Sequence, residues 1–322
     1  MPMPPRNASR NSAKKLLAWY DQHGRDLPWR KTHDPYKILV SEIMLQQTQV
    51  SRVLFFYKAW LKKFPTWKAL ASASNGEVIH AWAGLGYNRR ALVMRDIAKH
   101  IVAKTKNEKL KTKQRLNTKF QTPKTEDEWL TLKGIGPYTA AAVALFSGNE
   151  ATVPIDTNIR RVWGRVLLGK TFPGLENDEK LKKQLGGVLE KERRRADFFQ
   201  ATFDLATSIC TKQPECAVCP LKAVCPASKA FLSGKAKAPK RTTPISNERI
   251  HASKKYPDRI FRGRILKALR EAPRGLAPAA IGPLIDQAFD SKQDSSWLEA
   301  MIARLERDGM LRLVRGKILL HE

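Results

Sequence analysis

Cysteine is absent from nearly the whole chain. Only Cys210, Cys216, Cys219 and Cys225 occur among 322 residues. That crowding excludes a disulfide framework tying distant parts of the fold together and points to one metal centre. Long apolar runs are missing too: none nears the roughly 18 to 20 residues of a spanning helix. The opening MPMPPRNASRNSAKK has no apolar core of the secretory kind. Acidic residues are scarce, 30 against 59 Lys and Arg, which leaves a formal net charge of +29. Such an excess calls for a polyanionic partner. An anionic membrane surface is the rival, and without a span or leader the better reading is a cytoplasmic, nucleoid-associated protein facing nucleic acid.

What is present is mostly helical pattern, and no strand pattern of any strength appears in the first half of the chain. The length allows two or three domains. Residues 1–11 read as a disordered basic tail. Helices are expected from Ser12 to His23, Tyr36 to Gln49, Ser51 to Lys63, Asn75 to Ala83, Arg89 to Lys104, Asn158 to Leu168, Asp178 to Glu192 and Ala196 to Ser208. Thr105 to Lys119 is polar and Lys-rich and reads as a solvated loop. Residues 228–255 read as a basic linker, a solvated spacer with some attraction for phosphate. From 256 to 322, three helical patterns lead into Met310 to Leu320, which alternates apolar and basic residues about a Gly turn. Three helices and a basic hairpin suggest a winged helix, a module that binds DNA or protein.

Three places carry chemistry. Lys133-Gly134-Ile135-Gly136-Pro137 puts two glycines just before an Ala, Val and Leu run, as a tight hairpin feeding a helix N-terminus would. Main-chain N–H groups there can hold a phosphate without reading base sequence; the plain alternative is an ordinary loop. Ile38 to Leu45 is apolar nearly all round yet carries Glu42, which must be paired, protonated or functional. Arg25 and Arg30 are the candidate partners if Glu42 is structural. Asp156, in Pro154-Ile155-Asp156-Thr157-Asn158, is either a helix cap or a second functional carboxylate. Two carboxylates in unlike environments divide the roles of acid and ionised stabiliser, a division suited to glycosidic bond cleavage. The cysteines, spaced by five, two and five residues with no His between, fit tetrahedral zinc or a four-iron cluster equally.

SEIMLQQTQV (Ser41 to Val50), GLGY (Gly84 to Tyr87), LKGIGPYTA (Leu132 to Ala140), PIDTN and the cysteine loop, in this order, resemble the helix-hairpin-helix DNA glycosylases, in particular the adenine-specific, MutY-type branch. The resemblance covers residues 12–227. It implies an all-α catalytic region, with a six-helix barrel over about 33–150 and a cluster domain from 12–32 with 151–227, followed by the winged-helix-like domain. It also implies a [4Fe–4S] cluster on Cys210, Cys216, Cys219 and Cys225, and mismatch-containing double-stranded DNA bound by a monomer. Glu42 then falls on the catalytic acid and Asp156 on the catalytic aspartate, with Asn158 beside it. Tyr138 takes the place where bifunctional relatives carry a nucleophilic lysine, so hydrolysis without an efficient lyase step is expected. Arg25, Leu27, Trp29, Arg30 and Gln200 match the base pocket. Gln47, Thr48, Gln49 and Tyr87 match the elements that enter the duplex where the base leaves, and Gly134, Ile135 and Gly136 match the phosphate anchor.

This sequence departs from the family pattern at Thr157, usually Gly, and in a first cysteine gap of five rather than six. It also has a short helical tail in place of a hydrolase-like domain that reads 8-oxoguanine. The expected activity is release of adenine mispaired with guanine or 8-oxoguanine. Two alternatives are a thymine or uracil glycosylase for G:T and G:U pairs, and a non-enzymatic iron–sulfur DNA-binding regulator.

Overall fold

The computed structural model of the chain describes residues 6–112, 121–239, 250–251 and 254–321. Five of its helices start where the sequence supplies a side-chain cap. Ser74 and Glu77 form a reciprocal capping box, as do Thr125 and Glu128, and Thr66, Asp156 and Asp290 each cap a helix with a side-chain oxygen. In chain order the helices are α1 Arg6–His23, α2 Pro35–Leu45, α3 Val50–Lys63, α4 Trp67–Ser72, α5 Asn75–Ala81, α6 Arg89–Thr112, α7 Glu126–Leu130 and α8 Pro137–Gly148. There follow α9 Thr157–Leu168, α10 Asp178–Leu189, α11 Arg195–Ser208, α12 Ser228–Leu232, α13 Asp258–Glu271, α14 Pro278–Ile285 and α15 Ser291–Arg307. The strands, β1 Leu311–Val314 and β2 Lys317–Leu320, form one antiparallel hairpin. The chain is therefore helical, with a two-stranded sheet as its only sheet among the described residues. None of these helices is long and apolar enough to cross a membrane.

Several bounds differ from the sequence reading. Helix α1 begins at Arg6, inside the stretch read as a tail, while residues 1–5 lie outside the described set. Helix α2 stops at Leu45, because Gln47 takes a left-handed backbone (φ 55) that no α-helix accommodates. Helix α6 runs through to Thr112, beyond the expected Lys104, and the rest of the expected polar loop, 113–119, is outside the described residues. Helix α4 was not expected, being too short to show a period. Within the basic linker, α12 occupies Ser228–Leu232, and 240–249 and 252–253 are not described.

Two compact units emerge, one from Met1–Glu42 with Pro123–Thr242, the other from Ile43–Thr122 with Thr243–Glu322. The division falls inside α2, just after Glu42. In the first unit α9 packs on α11, α11 on α1, and α7 on α8. Trp163 stacks on Phe198 at 4.8 Å, and α8 buries every residue from Thr139 to Phe146. Burying one such aliphatic or aromatic chain is worth about 1.5–3 kcal/mol, so α8 is the rigid post of this unit. In the second unit α4 and α5 pack on α6, and Trp60 meets Trp82 edge-on at 5.4 Å. Helices α13 to α15 surround Phe261 and Trp297, 4.9 Å apart, and the hairpin closes the group with Leu276 bridging to Ile318. That is the three-helix-and-hairpin arrangement the C-terminal pattern suggested.

Candidate active site

The carboxylate site lies wholly in the first unit. Glu42 projects from the apolar α2 and is only 6% exposed. Burial pushes its carboxyl up to about 7, with the charge of Asp156 adding to the rise and a hydrogen bond from the Tyr138 hydroxyl opposing it. Tyr138 stands in the first turn of α8, and burial together with Glu42 and Asp156 holds its phenol well above the ordinary range. It is a neutral donor throughout the working pH range.

Asp156 is both a cap and a member of this site. Its Oδ1 accepts from the main-chain N–H of Asn158 at 2.8 Å and of Ile159 at 2.7 Å, and its Oδ2 accepts from Asn158 Nδ2 at 2.7 Å. Burial raises its pKa, and these bonds with the charge of Arg161 work against the rise. The two carboxyls therefore differ in kind: Glu42 receives one phenolic hydrogen bond in an apolar wall, Asp156 receives three donors at the positive end of a helix. Arg161 continues the chain of bonds, donating to Asn158 Oδ1 at 3.0 Å and to the Cys210 carbonyl at 2.8 Å.

The structural partner considered for Glu42 is elsewhere. Arg25 and Arg30 pair with Asp204, not with Glu42: Arg25 Nε lies 2.6 Å from Oδ1, and Arg30 Nη1 and Nη2 each lie 2.8 Å from a carboxylate oxygen. Arg30 Nε also donates to Gln200 Oε1 at 2.8 Å, and Leu27 and Trp29 are buried. Three of the five expected pocket residues, Arg25, Arg30 and Gln200, are thus joined around Asp204, a residue the sequence reading missed. Its one signal is position, a helical turn after Gln200 on α11.

At the hairpin between α7 and α8, Gly134 has φ 94, which glycine tolerates and other residues do not. Gly136 caps α8 with an ordinary φ of −93, and a Cβ there would meet no atom within 4 Å. No atom inside the protein crowds a side chain at 136, which is exposed at the N-terminus of α8. Ile135 is buried beneath.

The four cysteines line one cavity, walled also by Val162, Arg165, Leu205 and Phe231. Cys210 is buried, and Arg165, itself buried, donates to its Sγ at 3.3 Å and lies over the Phe231 ring. Burial pushes the Cys219 thiol up to about 11 and Cys225 up to about 12. Among the described residues no three Cys, His, Asp or Glu side chains are grouped to hold a metal ion. Four sulfurs around a common cavity suit tetrahedral zinc and a four-iron cluster alike.

The second unit carries the loops expected to enter the duplex. Gln47 (φ 55) and Tyr87 (φ 47) both sit in left-handed backbone and both are exposed. Arg90 ties their loops together, donating from Nη1 to the Ile43 and Gln46 carbonyls and from Nη2 to those of Leu85 and Gly86. Arg52 donates to the Gly84 carbonyl. Thr48 and Gln49 complete the first loop, Gln49 leading into α3. Neither arginine was singled out from sequence, since their ligands are carbonyls that carry no side-chain signature.

Residues 40–191 match the family described as HhH-GPD superfamily base excision DNA repair protein. The chain is 33% identical, over 294 residues, to a protein of Mycobacterium tuberculosis named adenine DNA glycosylase; the match spans 91% of this chain and 88% of that one. It therefore runs past the catalytic region into the C-terminal module. Among solved structures, a thermostable thymine-DNA glycosylase superposes with a TM-score of 0.60 at 25% identity, over 70% of this chain and 99% of the other. Endonuclease III trapped as a covalent intermediate with DNA superposes at 0.57 with 19% identity, over 71% and 100% of the two chains, a likeness of fold.

Proposed function

Because the chain belongs to the HhH-GPD superfamily of base excision DNA repair proteins, we propose that it is a monofunctional adenine DNA glycosylase. It hydrolyses the N-glycosidic bond of adenine mispaired with guanine or 8-oxoguanine in duplex DNA, acting as a monomer. The observation that carries this reading is Glu42, an acid titrating near 7 in an apolar wall beside the better-solvated Asp156. The adenine swings out of the stack, a step costing a few kcal/mol and least at a mismatch. Protonated Glu42 gives its proton to a ring nitrogen of the base. The bond to the sugar breaks with its electron pair leaving on adenine, and Asp156 stabilises the positive charge left on the sugar before water adds. Tyr138 donates to Glu42 and offers no amine, so no Schiff base forms there.

Arg25, Leu27, Trp29, Arg30 and Gln200 line the base pocket in this reading, with Arg25 and Arg30 held by Asp204. Gln47, Thr48, Gln49 and Tyr87 enter the gap, and Gly134, Ile135 and Gly136 anchor a phosphate. Cys210, Cys216, Cys219 and Cys225 would hold a [4Fe–4S] cluster; their shared cavity supports this. When bound, the cluster supplies the fixed shape of a loop that has little core of its own. The balance of likeness lies with adenine: the thymine-specific neighbour is 25% identical, the adenine-specific relative 33% over most of both chains. A gel assay on duplexes containing A:8-oxoguanine, A:G, G:T and G:U separates the two. Strand scission after alkali should appear in the adenine strand of the first two; cleavage confined to G:T and G:U would overturn the proposal.

A further inference from the structure

Tyr87, the residue read as entering the duplex, is held by two separate parts of the chain. Its backbone is left-handed, and its ring is 43% exposed. One guanidinium over that ring, 5.5 Å from its centroid, is Arg90, whose own hydrogen bonds to five carbonyls fix it in place. A second guanidinium, 5.8 Å from the same centroid, comes from Arg259 near the start of α13 in the C-terminal module. Both distances lie within the reach of cation–π attraction.

The module is seated for this contact. Asn75 at the start of α5, only 8% exposed, donates from Nδ2 to the Gly309 carbonyl at 2.6 Å. Arg89, two residues after Tyr87, pairs with Asp308 at 3.5 Å. A Cβ on Gly76 would stand 3.3 Å from the His321 carbonyl, so the base of the hairpin lies directly on α5. Buttressing Tyr87 in strained backbone needs support from outside its own loop, and Arg259 supplies it.

We propose that the C-terminal module positions the duplex-entering loop, with Arg259 as the positioning residue that orients Tyr87. This rests on the reading of Tyr87 as the side chain that fills the gap left by the departing base. The module then favours base extrusion rather than adding general affinity for DNA.

The test uses the full chain and a duplex carrying 2′-fluoro-2′-deoxyadenosine, which resists cleavage, opposite guanine, with 2-aminopurine as its neighbour. Fluorescence reports extrusion, and a parallel titration with matched duplex reports general affinity. Arg259→Ala should lower the extrusion signal about two- to fivefold, the scale of an exposed cation–π contact, with matched-duplex affinity unchanged. Arg259→Lys should restore part of it, and Arg259→Ala should have no further effect in a Tyr87→Ala background. Equal loss of affinity on matched and mismatched DNA, persisting without Tyr87 and with a salt dependence shallower by about one counterion, would make Arg259 a phosphate contact and overturn the proposal. If Tyr87→Ala lowers the signal and Arg259→Ala does not, the positioning role fails alone. If Tyr87→Ala leaves extrusion unchanged, the duplex-entering reading falls and takes the positioning role with it.

Discussion

Glu42→Gln should stabilise the protein at alkaline pH while abolishing its chemistry. The side chain keeps its shape, and the amide oxygen can still accept the Tyr138 hydrogen bond, so packing is preserved. The change removes an ionisation the fold resists. A carboxyl raised from 4.5 to about 7 represents about 3 kcal/mol of linked stability, at about 1.36 kcal/mol per pH unit of displacement. The sign follows from proton uptake: with the folded pKa above the unfolded one, the folded state binds the proton more tightly. That contribution is full below 4.5 and is lost as pH rises through about 7. The variant has no such loss, so its stability advantage should grow by roughly 2–3 kcal/mol between pH 5 and pH 8. Groups common to both proteins cancel in the difference. Urea unfolding followed by tryptophan fluorescence at the two pH values measures it. Parallel pH dependence in wild type and variant would refute the buried, raised carboxyl.

Other expectations follow from the remaining parts of the site. Asp204→Asn leaves Arg30, whose side chain is 7% exposed, without its counter-charge; unfolding experiments should show a loss of about 3–5 kcal/mol together with loss of base release. Gly136→Ala meets no atom within 4 Å inside the protein, so its melting temperature should hold or rise slightly, while gel-shift affinity falls by a similar factor for matched and mismatched duplexes. Cys219→Ser should lose iron, by elemental analysis, and the visible absorbance of a four-iron cluster; full retention of both would remove that cysteine from the ligand set.

The parts legible in the sequence were those written locally. An apolar run interrupted by one carboxylate announces Glu42, and a proline, two glycines and an alanine-rich helix announce the hairpin at Gly134–Gly136. Asp156 was ambiguous between cap and catalyst because both demand the same residue at the same place; in the structure it caps α9 and its charge also acts on Glu42. What could not be read depends on contacts across long separations. Asp204 gains meaning only when Arg25 and Arg30, 179 and 174 residues away, arrive beside it. Arg90 and Arg259 bind carbonyls and a ring face, which leave no pattern in composition or spacing. The end of α2 was misplaced by four residues because Gln46 to Gln49 are acceptable in a helix individually, while the left-handed turn at Gln47 follows a Gln46 carbonyl that accepts from Arg90 on α6, 44 residues away. Nothing in the structure explains Thr157, exposed at the first turn of α9.

The central claim is that a protonated Glu42 drives departure of adenine, and the most direct measurement is single-turnover release of free adenine from an A:8-oxoguanine duplex. Wild-type protein should release it, faster at pH 6 than at pH 8 as the acid is lost through about 7, and Glu42→Gln should bind the same duplex but release essentially none at either pH. Release by Glu42→Gln at the wild-type rate would contradict the account.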